Sequence, residues 1–177
     1  MALKSSAKRY GDIAITIHWL TAALIVALFA TGLLAAGQTD PAAKLALVRA
    51  HVPLGAGVLL LTLLRIVWWW LADRRPAAVS GLPGWQNLAA RAVHIGLYLI
   101  VLVAASSGIA TIVLSGALPV ILAGGLLPDF ATVLPRAVHG VVTKLMLALL
   151  AAHIGAALWH QFVRRDHLLA RMGVGRA

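Results

Sequence analysis

Cysteine and glutamate are both missing from this 177-residue sequence. Only five acidic residues, all of them Asp, stand against fifteen Lys and Arg. Without Cys there can be no disulfide, no thiolate metal site, no iron–sulfur ligation and no covalently attached c-type haem. Charge of any sign is scarce, at 11% of residues, while 62% are hydrophobic. Soluble domains are about a quarter charged and about half apolar, so an ordinary soluble globule and a disordered chain are both excluded. Alternating strand patterning is lacking, which argues against a β-barrel.

The net charge of +10 points to nucleic acid or to a membrane. The basic residues sit in short clusters between long apolar runs, not along one polar face. That arrangement argues against a nucleic-acid partner and favours membrane lipid. Four apolar segments reach or exceed the roughly 20 residues that span a bilayer: about 13–36, 52–71, 92–113 and 137–163. Unpaired backbone is not tolerated in lipid, so each is expected to be a helix. The fold expected is all-α: an integral membrane four-helix bundle, forming one domain over 1–177.

The joints differ in character. Gly37 to Arg49 reads as a short polar loop, and Ala72 to Arg91 as a basic, Pro-containing one. Leu114 to Pro135 is long, apolar and broken by Gly116, Pro119, Gly124, Gly125 and Pro128. Its closely spaced breakers argue for a surface or re-entrant segment, not a fifth span. Lys8 and Arg9 before an apolar run that ends Leu34-Ala35-Ala36-Gly37 imitate a secretory signal. The run is longer than a signal core and contains His18, so an uncleaved anchor is expected.

Orientation follows from the cations. Lys4, Lys8, Arg9, Arg74, Arg75, Arg91, Arg164, Arg165, Arg171 and Arg176 lie on one side; Lys44, Arg49 and Arg136 lie on the other. The bias puts both termini in the cytoplasm of a multi-pass protein in a bacterial inner membrane. All six Trp fall toward that same side, as an aromatic belt would.

Histidine carries the chemistry. His18, His51, His94, His139, His153 and His160 lie in or at the ends of apolar segments. A lone intramembrane His is more often a hydrogen-bonded helix contact, but six together mark a functional site. His139 and His153 are 14 residues apart, about 21 Å along one helix and within about 40° of the same face. His160 follows seven residues on. His51, at the outer end of the second segment, can face His139; His18, near the inner end of the first, can face His153. Two imidazoles facing each other across a bundle are what bis-His ligation of b-type haem requires. Zinc or copper handling is the competing use of a His cluster. It usually recruits carboxylates, Cys or Met, and this chain offers no convincing intramembrane acid, no Cys and three Met.

These residues resemble the bacterial cytochrome b561 family, in particular its superoxide oxidase branch. The resemblance runs through Ile17-His18-Trp19-Leu20, through His51 with Gly55 and Arg65, and through His94 with Tyr98. It is strongest in His139, His153-Ile154-Gly155-Ala156-Ala157-Leu158-Trp159-His160, Arg165-Asp166, Leu168-Leu169 and Arg171-Met172. It covers nearly the whole chain except Leu114 to Pro135. It implies two haem b groups, with His18 and His153 as axial ligands of the inner iron and His51 and His139 of the outer one. His94, His160 and Arg65 would form a propionate or quinone environment. Pairing of His94 with His153 or His160 stays open from spacing alone. The branch implies superoxide oxidised to dioxygen on the periplasmic side and ubiquinone reduced, with Arg136 and Lys144 as candidates for steering the anion. For Lys144, snorkelling or pairing a propionate weighs against a direct role. The alternatives are a cytochrome subunit anchoring a periplasmic dehydrogenase or hydrogenase, with a redox protein partner, and a non-redox His-rich membrane protein.

Overall fold

A computed structural model describes residues 2–77 and 83–175 of the chain. The described residues contain no strand. Helix α1 runs Asp12–Gly37, α2 Pro41–Leu71, α3 Gly84–Leu114, the short α4 Ala117–Ala123, and α5 Leu134–Leu158. The last continues as a π-helical turn over Trp159–Arg164. The four long helices are each long and apolar enough to cross a membrane. The loop Leu114 to Pro135 therefore holds a short helix and a 3₁₀ turn, Phe130–Thr132, and no fifth span. Arg176 and residues 78–82 lie outside the described residues.

Two helices begin well before their apolar runs. In α2 the polar stretch from Pro41 is helical, because Asp40 caps it. The Asp40 carboxylate accepts the Ala43 N–H at 2.7 Å, and Pro41 stands at the first helical position, where its missing N–H costs nothing. The loop expected over Gly37 to Arg49 shrinks to residues 38–40, and Lys44 and Arg49 ride on the helix. In α3 the residues from Gly84, including Gln86, Asn87 and Arg91, are helical as well. Each of these helices has 31 residues, or about 46 Å, against about 30 Å of hydrocarbon. Their polar turns extend beyond the apolar layer.

α1 packs along α2, and α3 packs along α5, with α2 touching α3 between the pairs. The central core takes one residue from each long helix: Ile25, Val58, Val101 and Met146. Each is seven residues, about 10 Å, from a histidine: His18, His51, His94, and both His139 and His153. The core is thus an apolar layer between two histidine levels.

Both chain ends meet at one end of the bundle. The Tyr10 N–H donates to the Arg171 carbonyl at 3.1 Å, and Trp19 Nε1 donates to the Met172 carbonyl at 3.0 Å. Ser5 donates its N–H and its hydroxyl to the Asp73 carboxylate just after α2, and Trp68 Nε1 donates there too. At the far end, Arg49 Nε donates to the Ile121 carbonyl at 2.6 Å, so α4 is held to α2 by an otherwise orphaned C-terminal carbonyl.

Candidate functional site

The histidines gather at two levels between the helix pairs. Near the far end, His51 of α2 and His139 of α5 have ring centres 6.2 Å apart, with planes crossing at 77°. Near the terminal end, His18 of α1 and His153 of α5 also stand 6.2 Å apart, at 73°. A metal bound by two imidazoles at about 2 Å per nitrogen sets their ring centres roughly 6 Å apart, so both spacings suit one iron each. His94 of α3 comes closer to His153, at 5.2 Å, which is too near for an iron between them.

Protonation at the far pair can be read from the hydrogen bonds. Nδ1 of His139 faces the Ala104 carbonyl at 2.9 Å. A carbonyl only accepts, so Nδ1 carries the hydrogen and Nε2 keeps its lone pair. Nδ1 of His51 faces the Thr31 hydroxyl at 3.0 Å. That hydroxyl already donates to the Ala27 carbonyl, so it accepts from His51, whose Nε2 is also free. Gly32 lets α1 pass this ring: a Cβ there would stand 3.1 Å from Cε1 of His51. Gly108 serves His139 in the same way, at 3.4 Å.

The near pair differs. NH1 of Arg65 lies 3.0 Å from Nδ1 of His18 and can only donate, so Nδ1 accepts and the neutral ring carries its hydrogen at Nε2. Arg65 Nε is buried without a partner, Tyr98 lies alongside the guanidinium, and no carboxylate pairs with it among the described residues. A buried cation without an anion suits a carboxylate group of a ligand. Nδ1 of His160, in the π turn, donates to the carboxylate of Asp166, two residues beyond that turn.

The two candidate steering cations separate. Arg136 lies near both His51 and His139, with its guanidinium folded back over Gly140. Lys144 is exposed on the outside of α5. It is nine residues from His153, which at about 100° per residue is the opposite face. The structure does not bring it to the histidines.

The sequence profile of the prokaryotic cytochrome b561 family matches residues 9–175. The chain belongs to that family. It is 30% identical over 173 residues to cytochrome b561 homolog 1 of Escherichia coli (strain K12), covering 93% of this chain and 96% of that protein. It is 28% identical over 188 residues to cytochrome b561 homolog 2 of the same strain, covering 97% and 95%. This cytochrome b561 protein is accordingly a membrane electron-transfer protein of a family that binds b-type haem. Thr31, Gly32, Ser107 and Gly108, which orient or make room for the far histidines, were not apparent from the sequence. Small residues in an apolar helix carry no sign of which neighbour they serve.

Proposed function

We propose that the protein is a di-haem cytochrome b that oxidises superoxide at the far, periplasmic end and reduces ubiquinone near the terminal, cytoplasmic end. The observation that carries this reading is the pair of cross-helix histidine couples, each at 6.2 Å, on either side of an apolar layer. His51 and His139 would hold one haem, and His18 and His153 the other. Bound haem supplies one-electron redox chemistry and a path across the bundle. Two superoxide anions each lose one electron and become dioxygen. One ubiquinone takes both electrons and two protons and becomes ubiquinol.

The chain's own residues do the rest. Arg136 attracts a small anion to the far pair. The far rings are held by Thr31 and Ala104 in the tautomer that leaves Nε2 available. At the near pair, Arg65 would hold a propionate, and without the Arg65 hydrogen bond His18 could carry its hydrogen at Nδ1. Arg65 and His160 form the propionate and quinone environment, with the Asp166 carboxylate accepting a hydrogen bond from His160.

The test is to add superoxide to the detergent-solubilised protein with ubiquinone and follow haem reduction in the visible spectrum. Reduction by superoxide is expected, followed by reoxidation by quinone. Reduction by quinol without any response to superoxide would instead identify a cytochrome subunit that serves a redox protein partner. A well-folded but colourless protein would remove the haem reading altogether.

A further inference from the structure

α3 and α5 pack against each other and run antiparallel, since His139 meets Ala104 while the later His153 meets the earlier His94. Stepping one way along α5 therefore corresponds to stepping the other way along α3. At the far level, Nδ1–H of His139 is taken by the Ala104 carbonyl of α3. His153 lies 14 residues further along α5, and 14 residues back along α3 from Ala104 is Ala90. The Ala90 carbonyl is therefore the equivalent acceptor for His153, but it is occupied: Nδ1 of His94 donates to it at 2.6 Å.

That bond fixes His94. Its Nδ1 carries the hydrogen, so the neutral ring has its lone pair at Nε2. Its ring centre is 5.2 Å from that of His153. Two imidazoles sharing one N–H···N hydrogen bond of about 2.9 Å have centres roughly 5 Å apart, whereas two sharing an iron need the longer spacing found between His153 and His18. The planes of His94 and His153 cross at 79°. His94 is pinned by Ala90, whereas His153 makes no ring hydrogen bond among the described residues, so it is rotation of the His153 ring that would bring its Nδ1 to Nε2 of His94.

We infer that His94 is a positioning residue for His153. It accepts the Nδ1–H of His153 at Nε2 and passes the constraint on to the Ala90 carbonyl. His153 is thereby held with Nε2 toward His18. The relay replaces at the near level the direct carbonyl contact used at the far level. This inference rests on the proposed haem ligation and assigns His94 neither to the iron nor to the quinone. A metal-bound imidazole whose other N–H is accepted by a neighbour is a stronger electron donor, so His94 lowers the potential of the near haem alone.

The experiment compares His94→Leu and His94→Gln with the unmodified full-length protein, by haem content, redox titration and electron paramagnetic resonance of the oxidised haems. Gln offers an acceptor oxygen and Leu offers none. Both variants are expected to keep both haems. Leu should raise the potential of one haem and shift its resonance while the other haem stays put, and Gln should restore much of the original value. Loss of a haem in both variants would make His94 an axial ligand and overturn the inference. Full haem content with an unmoved potential would overturn it too, while leaving the haem reading intact. Absence of haem from the unmodified protein would instead sink the ligation on which it rests.

Discussion

Arg65 donates to Nδ1 of His18 across 3.0 Å, and this one contact sets where the His18 proton sits. While it lasts, His18 has no lone pair at Nε2 for an iron. Arg65→Leu should therefore act in two opposing ways, freeing the His18 tautomer but removing the cation for a propionate. The buried Arg65 Nε without a partner argues that the second effect dominates, because charge-assisted hydrogen bonds are about twice as strong as neutral ones. The expected outcome is selective weakening of the near haem, measured as haem lost on dialysis or gel filtration. Tighter haem retention in the variant would refute it.

Removing single rings tests the two levels separately. His51→Ala and His18→Ala should each lose one haem and keep the other, read from the ratio of haem to protein and from the surviving redox component. Full haem retention in either variant would break the proposed pairing.

Gly32 lies against the His51 ring, where a Cβ would stand 3.1 Å from Cε1. Gly32→Ala has to push that imidazole or part α1 from α2. Overpacking of this kind costs about 1–3 kcal/mol. The far haem should show a shifted spectrum or weaker retention, with the near haem untouched. An unchanged far haem would mean that the ring moves aside freely.

The division of the fold into four spans was legible because lipid demands long apolar helices. The polar starts of α2 and α3 were not, because hydropathy stops at the membrane surface while helices continue. The signal at Asp40-Pro41 was present, but it is a capping signal, not an apolar one. In the site, histidines in apolar runs stood out by their cost, whereas Thr31 and Gly32 are ordinary in such helices. The outward direction of Lys144 could have been read from its nine-residue offset from His153. The contact between Arg65 and His18 could not, since it depends on how α1 and α2 pack.

Asp73 ties the N-terminal tail to the end of α2. Burial alone would raise its pKa, but hydrogen bonds from the Ser5 hydroxyl and N–H, the Arg74 N–H and Trp68 outweigh burial and hold it below the ordinary value of 3.8. A carboxylate with a lowered folded pKa stabilises fully above its unfolded pKa, and that stabilisation is lost as pH falls through the folded one. The clasp should hold from neutral pH down to about pH 4 and open below that. Lys4, Lys8 and Arg9 are already exposed, so at neutral pH Asp73→Ala should free the tail backbone and speed trypsin cleavage after them, leaving the haem spectrum unchanged. Equal trypsin resistance in the variant would show that the tail is held by other contacts.

Arg136 and Lys144 are both cations on the far half of α5, yet only Arg136 lies near His51 and His139. Lys144 points to the opposite face of the helix. Steering depends on the field at the entrance to the site and is screened by salt. Arg136→Gln should slow haem reduction by superoxide several-fold at low ionic strength and flatten its salt dependence. Reduction by quinol at the other end should be unchanged in this variant. Lys144→Gln should leave both rates unchanged, because its charge faces away from the histidines. Stopped-flow measurement at two salt concentrations separates the two residues. A Lys144 effect as large as that of Arg136 would show that the anion approaches along the outside of α5, contrary to the route proposed here.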